Sequence, residues 1–479
     1  MDLKASVIHG IKWSSGAKLG TQIINWVITI YVMRLLNPDD YGLLAMAMVF
    51  VALCLMLNEM GLGAALVQIK DLSEKMLKQT FGLVIVLNGI ILLVLLLGSG
   101  IIASIYDEPR LTSIIPILSL QFPIMIFFVI PTSILQRNMN FKAISIVSIF
   151  AELISGLATL FMAWNGYGIW ALVIGSLVRA AVQSIGINIA HPFFKMPSFN
   201  FKGFGGAAKF GGLISLQRIL WYIYTQADVF IVGRLLGSNI LGYYSVAMHI
   251  ATMPLQKVGL MMSQVGLPAY SKIQDNKELV ARYVKMTGRA ICFVGVPIFF
   301  GISCVAPEMV QVILKEKWFP SIIPLQLISL VIPLRALNVS LTPAINGIGR
   351  PDINAKTLFV ACIIMPASFL IGIKWGLTGV SMAWIIAYSI WFIYMLSQVL
   401  PAAGLNIKNY LSILSAPFLW GGIMYGGVYL AKFLLGPTQM NLFLQLILLI
   451  IIGGAIYILG TFVFCREVWR EVISVFRKS

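Results

Sequence analysis

The sequence predicts an all-α polytopic membrane protein with about 14 transmembrane helices: two six-helix lobes and a C-terminal helix pair. Three observations carry this. Of 479 residues, 59% are hydrophobic and 11% charged, whereas a soluble chain carries about a quarter charged residues. Apolar runs of about 20 residues recur from end to end, the length at which a helix crosses hydrocarbon. Two stretches also repeat. Residues 32–48 (VMRLLNPDDYGLLAMAM) and 232–248 (VGRLLGSNILGYYSVAM) align without a gap at Val32/Val232, Arg34/Arg234, Leu35/Leu235, Leu36/Leu236, Gly42/Gly242, Ala47/Ala247 and Met48/Met248. A repeat on this scale points to a duplicated helical unit.

The spans fall near 13–36, 41–69, 79–104, 112–135, 142–164, 168–190, 208–236, 241–270, 287–306, 321–347, 353–373, 377–399, 409–431 and 441–464. Cations between them set the orientation. Arg34, Arg110, Arg234, Lys315, Lys317, Lys374 and Lys432 fall on one side and the other loop cations on the opposite side, which places both termini in the cytoplasm. The N-terminus carries no cleavable-signal pattern. The domains read as an N-lobe at 1–191, a cytoplasmic linker at 192–207, a C-lobe at 208–400, and a final helix pair with its tail at 401–479. Both lobes enter the membrane from the same side, so the repeat is parallel. A second echo pairs SIIP at 113–116 with SIIP at 321–324. The span following the first carries Pro116, Pro123 and Pro131; the span following the second carries Pro324, Pro333 and Pro343. Prolines break the helix ladder, so both helices are expected to be hinged.

The formal charge of +17 reads as contact with anionic lipid, not nucleic acid, because the cations cluster between spans. The five cysteines are scattered through apolar runs without metal or disulfide spacing, as packing residues are. No phosphate-binding loop, metal cluster or paired catalytic carboxylates appear, so neither an enzyme nor a cofactor is expected.

The informative residues are therefore the ionisable groups inside spans, which are expensive there and face the bundle interior or water. Lys18 and Arg218 stand at equivalent places in spans one and seven. Gln22 and Asn25 follow Lys18 on one helix face, and Tyr222 follows Arg218 in the same way. Arg335 and Asn338 head a stripe on span ten that continues through Thr342 and Asn346. Arg179 sits on span six. Lys18, Gln22, Asn25, Arg179, Arg218, Tyr222, Arg335 and Asn338 are the candidate substrate-binding residues of a cationic cavity between the lobes, suited to phosphate oxygens. Asp228, Glu59 and Glu152 are the acids within spans. They are candidates for coupling to a proton or sodium gradient, although neutralising a nearby Arg is the slightly favoured reading of each.

RLLNPDDYGLLAMAMVF (34–50), NEMGLGAALVQ (58–68), LQRNMNFK (135–142), ADVFIVGRLLGSNILGYYSVA (227–247) and GLTGVSMAW (376–384) resemble the Wzx-type polysaccharide and oligosaccharide-lipid exporters of the multidrug/oligosaccharidyl-lipid/polysaccharide superfamily. The resemblance covers nearly the whole chain. It implies a V-shaped alternating-access transporter of the bacterial inner membrane. It also implies a substrate class, undecaprenyl-diphosphate-linked oligosaccharide repeat units, and a polysaccharide polymerase as a candidate partner. A cation-coupled multidrug antiporter is the nearest rival, disfavoured by the excess of Lys and Arg on the nominated stripes. A membrane polymerase or ligase of the same pathway would need a large outer loop, and a non-transporting assembly scaffold would tolerate loss of Lys18 and Arg218.

Overall fold

The structure is a computed structural model, and it describes residues 24–59, 66, 73–200, 205–435 and 440–464. Side chains at 57–59, 205–218, 256–265 and 464 lie outside that description. The chain runs through α1 (Ile24–Leu35), α2 (Pro38–Glu59), α3 (Glu74–Tyr106), α4 (Leu111–Ser119), α5 (Gln121–Arg137), α6 (Phe141–Trp164) and α7 (Ile169–Ala190). It continues as α8 (205–236), α9 (238–273), α10 (Lys277–Ile313), α11 (Ile322–Gly347), α12 (Pro351–Gly372), α13 (Gly376–Ala402), α14 (Ile407–Leu435) and α15 (Leu442–Phe464). Among the described residues there is no strand, and 11 segments are long and apolar enough to cross a membrane. Two of these, Ile219–Leu255 and Pro351–Ala402, each contain a turn, one at Gly237 and one at the 3-10 turn Ile373–Trp375. The all-α membrane architecture is the one the sequence predicts.

Local chemistry explains the boundaries. Asn37, Pro38, Asp39 and Asp40 start α2: Pro38 takes the first helical position, and the Asp40 carboxylate accepts from the Asn37 amide at 2.9 Å. Ser73 and Asn276 cap α3 and α10, accepting from Met76 and Leu279 at 3.2 and 3.0 Å. Gly237 separates α8 from α9 with φ 83°, a conformation glycine adopts without a Cβ penalty.

Of the two proline-rich spans, only the first is broken. The helix interrupts at Leu120 between α4 and α5, three residues before Pro123, whose missing N–H leaves the Ser119 carbonyl without its helical donor. At the offset set by the SIIP motifs, Pro123 corresponds to Val331, which keeps its N–H, and α11 runs on through Pro333 and Pro343. Helix α10 begins ten residues before the expected span. Hydropathy marks only the apolar part, while its first turns are amphipathic, with Val280, Ala281, Val284 and Gly288 buried.

By its contacts the chain forms two compact units. The first runs to Tyr222 and takes in Leu236–Gly242; the second comprises Ile223–Leu235 and everything from Tyr243 onward. In the first unit, Ile28 and Val32 of α1, with Leu36 just beyond its end, pack against Ala163 and Ala171 of α6 and α7. A second cluster joins Leu77, Phe81 and Ile130 to Phe193, which follows α7. There the chain lies along α3: the Ser198 amide donates to the Lys78 carbonyl at 2.8 Å, and Gln79 donates to the Asn200 carbonyl at 2.5 Å.

In the second unit, α14 and α15 are packed onto α10 through Cys304, Val305, Met424, Val428, Leu446, Leu449 and Tyr457. The Tyr457 hydroxyl donates to the Phe293 carbonyl at 3.0 Å. Lys432 of α14 meets Glu308 of α10 at 2.6 Å, both side chains largely buried, and also donates to the Cys304 carbonyl.

The segments that match in sequence also meet in space. A Cβ added at Gly42 would strike the Ser238 carbonyl, and one added at Gly242 would strike the Pro38 carbonyl. Pro38 and Ser238 stand at matching positions of the two aligned stretches, 200 residues apart, so the contact is reciprocal.

Candidate functional site

Each unit holds a polar cluster within its spans that includes residues singled out in the sequence. In the first, Asn25 of α1, Glu152 of α6 and Arg179 of α7 come together. Asn25 donates to one Glu152 oxygen at 2.8 Å, and Arg179 reaches the other at 3.4 Å. All three were nominated from the sequence, but Glu152 serves as counter-charge to Arg179. The guanidinium is about half exposed, so the pair is polarised and reachable but close to neutral.

The second unit's cluster is built around Asp228 of α8, which is 1% exposed. Its carboxylate accepts from Tyr244 of α9 at 2.5 Å, from the Trp384 indole of α13 at 2.9 Å, and from the Val229 amide at 2.8 Å. The indole N–H also reaches the Tyr244 hydroxyl at 2.8 Å. The Arg335 guanidinium of α11 lies over the Trp384 ring, 4.6 Å from its centroid, close enough to act electrostatically on Asp228. Its Nη1 also donates to the Met248 sulfur at 3.6 Å. Among the described residues Arg335 forms no ion pair with a carboxylate, and it is only half-buried. Its guanidinium is permanently charged and carries five N–H donors, one of which goes to the Met248 sulfur.

Asn338, one turn on, partners Tyr388. The rest of the stripe is consumed by α12: Asn354 donates to the Asn346 side chain at 2.7 Å and to the Thr342 carbonyl at 3.2 Å. Tyr222 is 7% exposed and donates to the Val49 and Met48 carbonyls of α2 at 2.7 and 3.1 Å. Lys18 and Gln22 lie outside the described residues, and Arg218 and Glu59 lie on helices whose side chains there are outside the description.

Sequence reasoning missed Tyr244 and Trp384. One signal for Tyr244 was present: Asp228 lies nine residues before Gly237 and Tyr244 seven after, so a hairpin about Gly237 brings them to similar depth. The donors at Asp228 give a test. Asp228→Asn replaces an acceptor oxygen with an NH₂ facing a donor, and leaves one donor buried without a partner. The expected loss is about 1–3 kcal/mol, read as a lower unfolding midpoint in detergent. An unchanged midpoint contradicts this.

A third cluster, also unforeseen, joins the start of α2, the turn before α4 and the start of α9. Arg110 grips Glu108 with two bonds of 2.7 Å. It holds Asp39 with two more, at 2.5 and 3.2 Å. Ser238 donates to Asp39 and lies 3.5 Å from Arg110. The hydrogen bonds from Arg110 hold the Glu108 carboxyl below the usual carboxylate range. Among the described residues no group of His, Cys, Asp or Glu is arranged to hold a metal.

Comparison with known proteins follows the same lines. The chain is 26% identical over 424 residues to lipopolysaccharide biosynthesis protein WzxC of Escherichia coli (strain K12), covering 87% of this chain and 86% of the relative. It is 23% identical over 487 residues to succinoglycan biosynthesis transport protein ExoT of Rhizobium meliloti (strain 1021), covering 98% and 96%. Among solved structures it is similar to the lipid II flippase MurJ in an inward closed conformation. That match has a TM-score of 0.77 at 17% identity and covers 95% of this chain and 99% of the other, which shows a shared fold. A family model described as polysaccharide biosynthesis protein (Polysacc_synt_3) matches residues 31–323, more than half of the chain, and the chain belongs to that family as a multi-pass membrane transporter.

Proposed function

We propose that the protein moves oligosaccharide units linked to a polyprenyl diphosphate, of the undecaprenyl type, from the inner to the outer leaflet of the bacterial cytoplasmic membrane by alternating access, with both termini inside. The observation that carries this is Arg335. A mid-span guanidinium held by an aromatic face and a sulfur, and in no ion pair with a carboxylate among the described residues, has fork-shaped donors to offer to phosphate oxygens. A diphosphate cannot cross hydrocarbon unaided, and an unpaired cation in a span is costly unless it serves a function. The pair Asn25 and Arg179 offers the head group further donors in the first unit. The relatives' names point the same way: one is a lipopolysaccharide biosynthesis protein, one a transport protein and one a lipid flippase.

The test is flipping of a fluorescent lipid-diphosphate oligosaccharide in proteoliposomes. Arg335→Ala is expected to slow it about tenfold or more, the value of a charge-assisted hydrogen bond at about 1.5–3 kcal/mol. Arg335→Lys keeps the charge but loses the fork, so it recovers part of the rate. Wild-type flipping by Arg335→Ala, inserted at normal levels, overturns the reading.

A further inference from the structure

We propose that the N-terminal end of α10 carries a binding site for a phosphate group, and that the occupant is the headgroup of an anionic phospholipid. A cavity of about 520 Å³ is lined there by Lys277, Arg282, Lys285 and Arg289, against one carboxylate, Glu278, with Leu405 on the far wall. The last three cations follow at i, i+3 and i+7, one face of the helix. Among the described residues neither Arg282 nor Lys285 makes an ion pair.

A basic loop facing the cytoplasm is ordinary in a membrane protein. What is not ordinary is concentration around a concavity. Lys285 and Arg289 are half-buried, and like charges three and four residues apart on a helix repel each other. An anion in the cavity relieves that repulsion. The positive end of the α10 dipole adds to the attraction.

An adjoining cavity of the same volume shares Lys277 but offers only Arg350 besides. Arg350 is already held by Asp352 at 2.9 and 3.0 Å, which singles out the first cavity. The level along α10 selects lipid over a soluble phosphate. From Ala290 to Pro307 the helix carries no charged residue, so Arg289 marks the point where it enters hydrocarbon. The cavity lies at headgroup depth, and Met286 and Leu405 supply apolar wall. Basic pockets at this depth are where phosphate headgroups bind.

The experiment uses the full chain in detergent, with thermal unfolding and native mass spectrometry. The probes are phosphatidylglycerol, phosphatidylcholine and inorganic pyrophosphate. Wild type is expected to bind phosphatidylglycerol in preference to phosphatidylcholine and to unfold at higher temperature with it. In the Arg282→Gln/Lys285→Gln variant, apparent affinity for phosphatidylglycerol falls about tenfold, while Lys408→Gln, an exposed cation outside the cavity, keeps it. Undiminished binding by the double variant overturns the site. Protection by pyrophosphate without any by phosphatidylglycerol overturns the lipid as occupant. Binding is read without transport, so either failure leaves the export reading standing.

Discussion

Replacing Gly42 with valine leaves little folded transporter. The Cβ of any other residue there overlaps the Ser238 carbonyl, and the matching change at Gly242 overlaps the Pro38 carbonyl. In both cases the obstacle is backbone, which cannot swing aside as the tip of a side chain can. Relief requires the first turns of α2 and α9 to separate, and with them the contacts of Asp39 and Ser238. Overpacking typically costs about 1–3 kcal/mol and more against rigid neighbours, a large share of the stability of a marginal fold. The milder Gly42→Ala and Gly242→Ala changes are expected to be non-additive, because separating the turns for one makes room for the other. Gly98→Ala is the control: nothing lies near its Cβ, and alanine favours the helix. Fluorescence-detected size exclusion and unfolding midpoints read all four. A Gly42→Val protein with a wild-type midpoint contradicts the reciprocal contact.

Arg110→Ala is the second large effect. It removes the cation shared by Asp39 and Glu108, leaving Asp39 its bond from Ser238 and Glu108 the backbone amide of residue 110. The expected cost is about 1–2 kcal/mol near neutral pH, above the usual value of an exposed pair because one fork serves two acids. The sign of its pH dependence follows from Glu108. Its folded carboxyl titrates below the unfolded value, so its contribution is complete above the unfolded pKa and is lost as pH falls through the folded one. Unfolding midpoints of wild type and variant therefore converge as the medium becomes more acidic than about pH 4. A gap that stays constant down to pH 3 shows that Glu108 is not part of the stabilisation.

What could be read from the sequence and what could not divides on physical grounds. Span positions were legible because burial in lipid leaves an unbroken apolar run. Their ends were less so: the first turns of α10 are helical but amphipathic, and hydropathy is blind to them. A hinge was expected in both proline-rich spans; it forms at Leu120 and not in α11, since counting prolines ignores which carbonyl each one deprives. Asn25, Glu152 and Arg179 were found singly through the cost of polarity in a span, but their pairing depends on helix rotation, which one sequence does not encode. Tyr244 and Trp384 were passed over because aromatic residues in apolar runs look like packing. The Arg110 cluster was missed because its members come from three distant turns.

The last two helices look dispensable in the sequence, trailing behind a complete duplication. The Glu308–Lys432 pair gives them a different standing. Without α14, Glu308 would present a bare carboxylate to acyl chains. A shortened chain would first have to neutralise that position, so α10 depends on a helix whose Lys432 follows Glu308 by 124 residues.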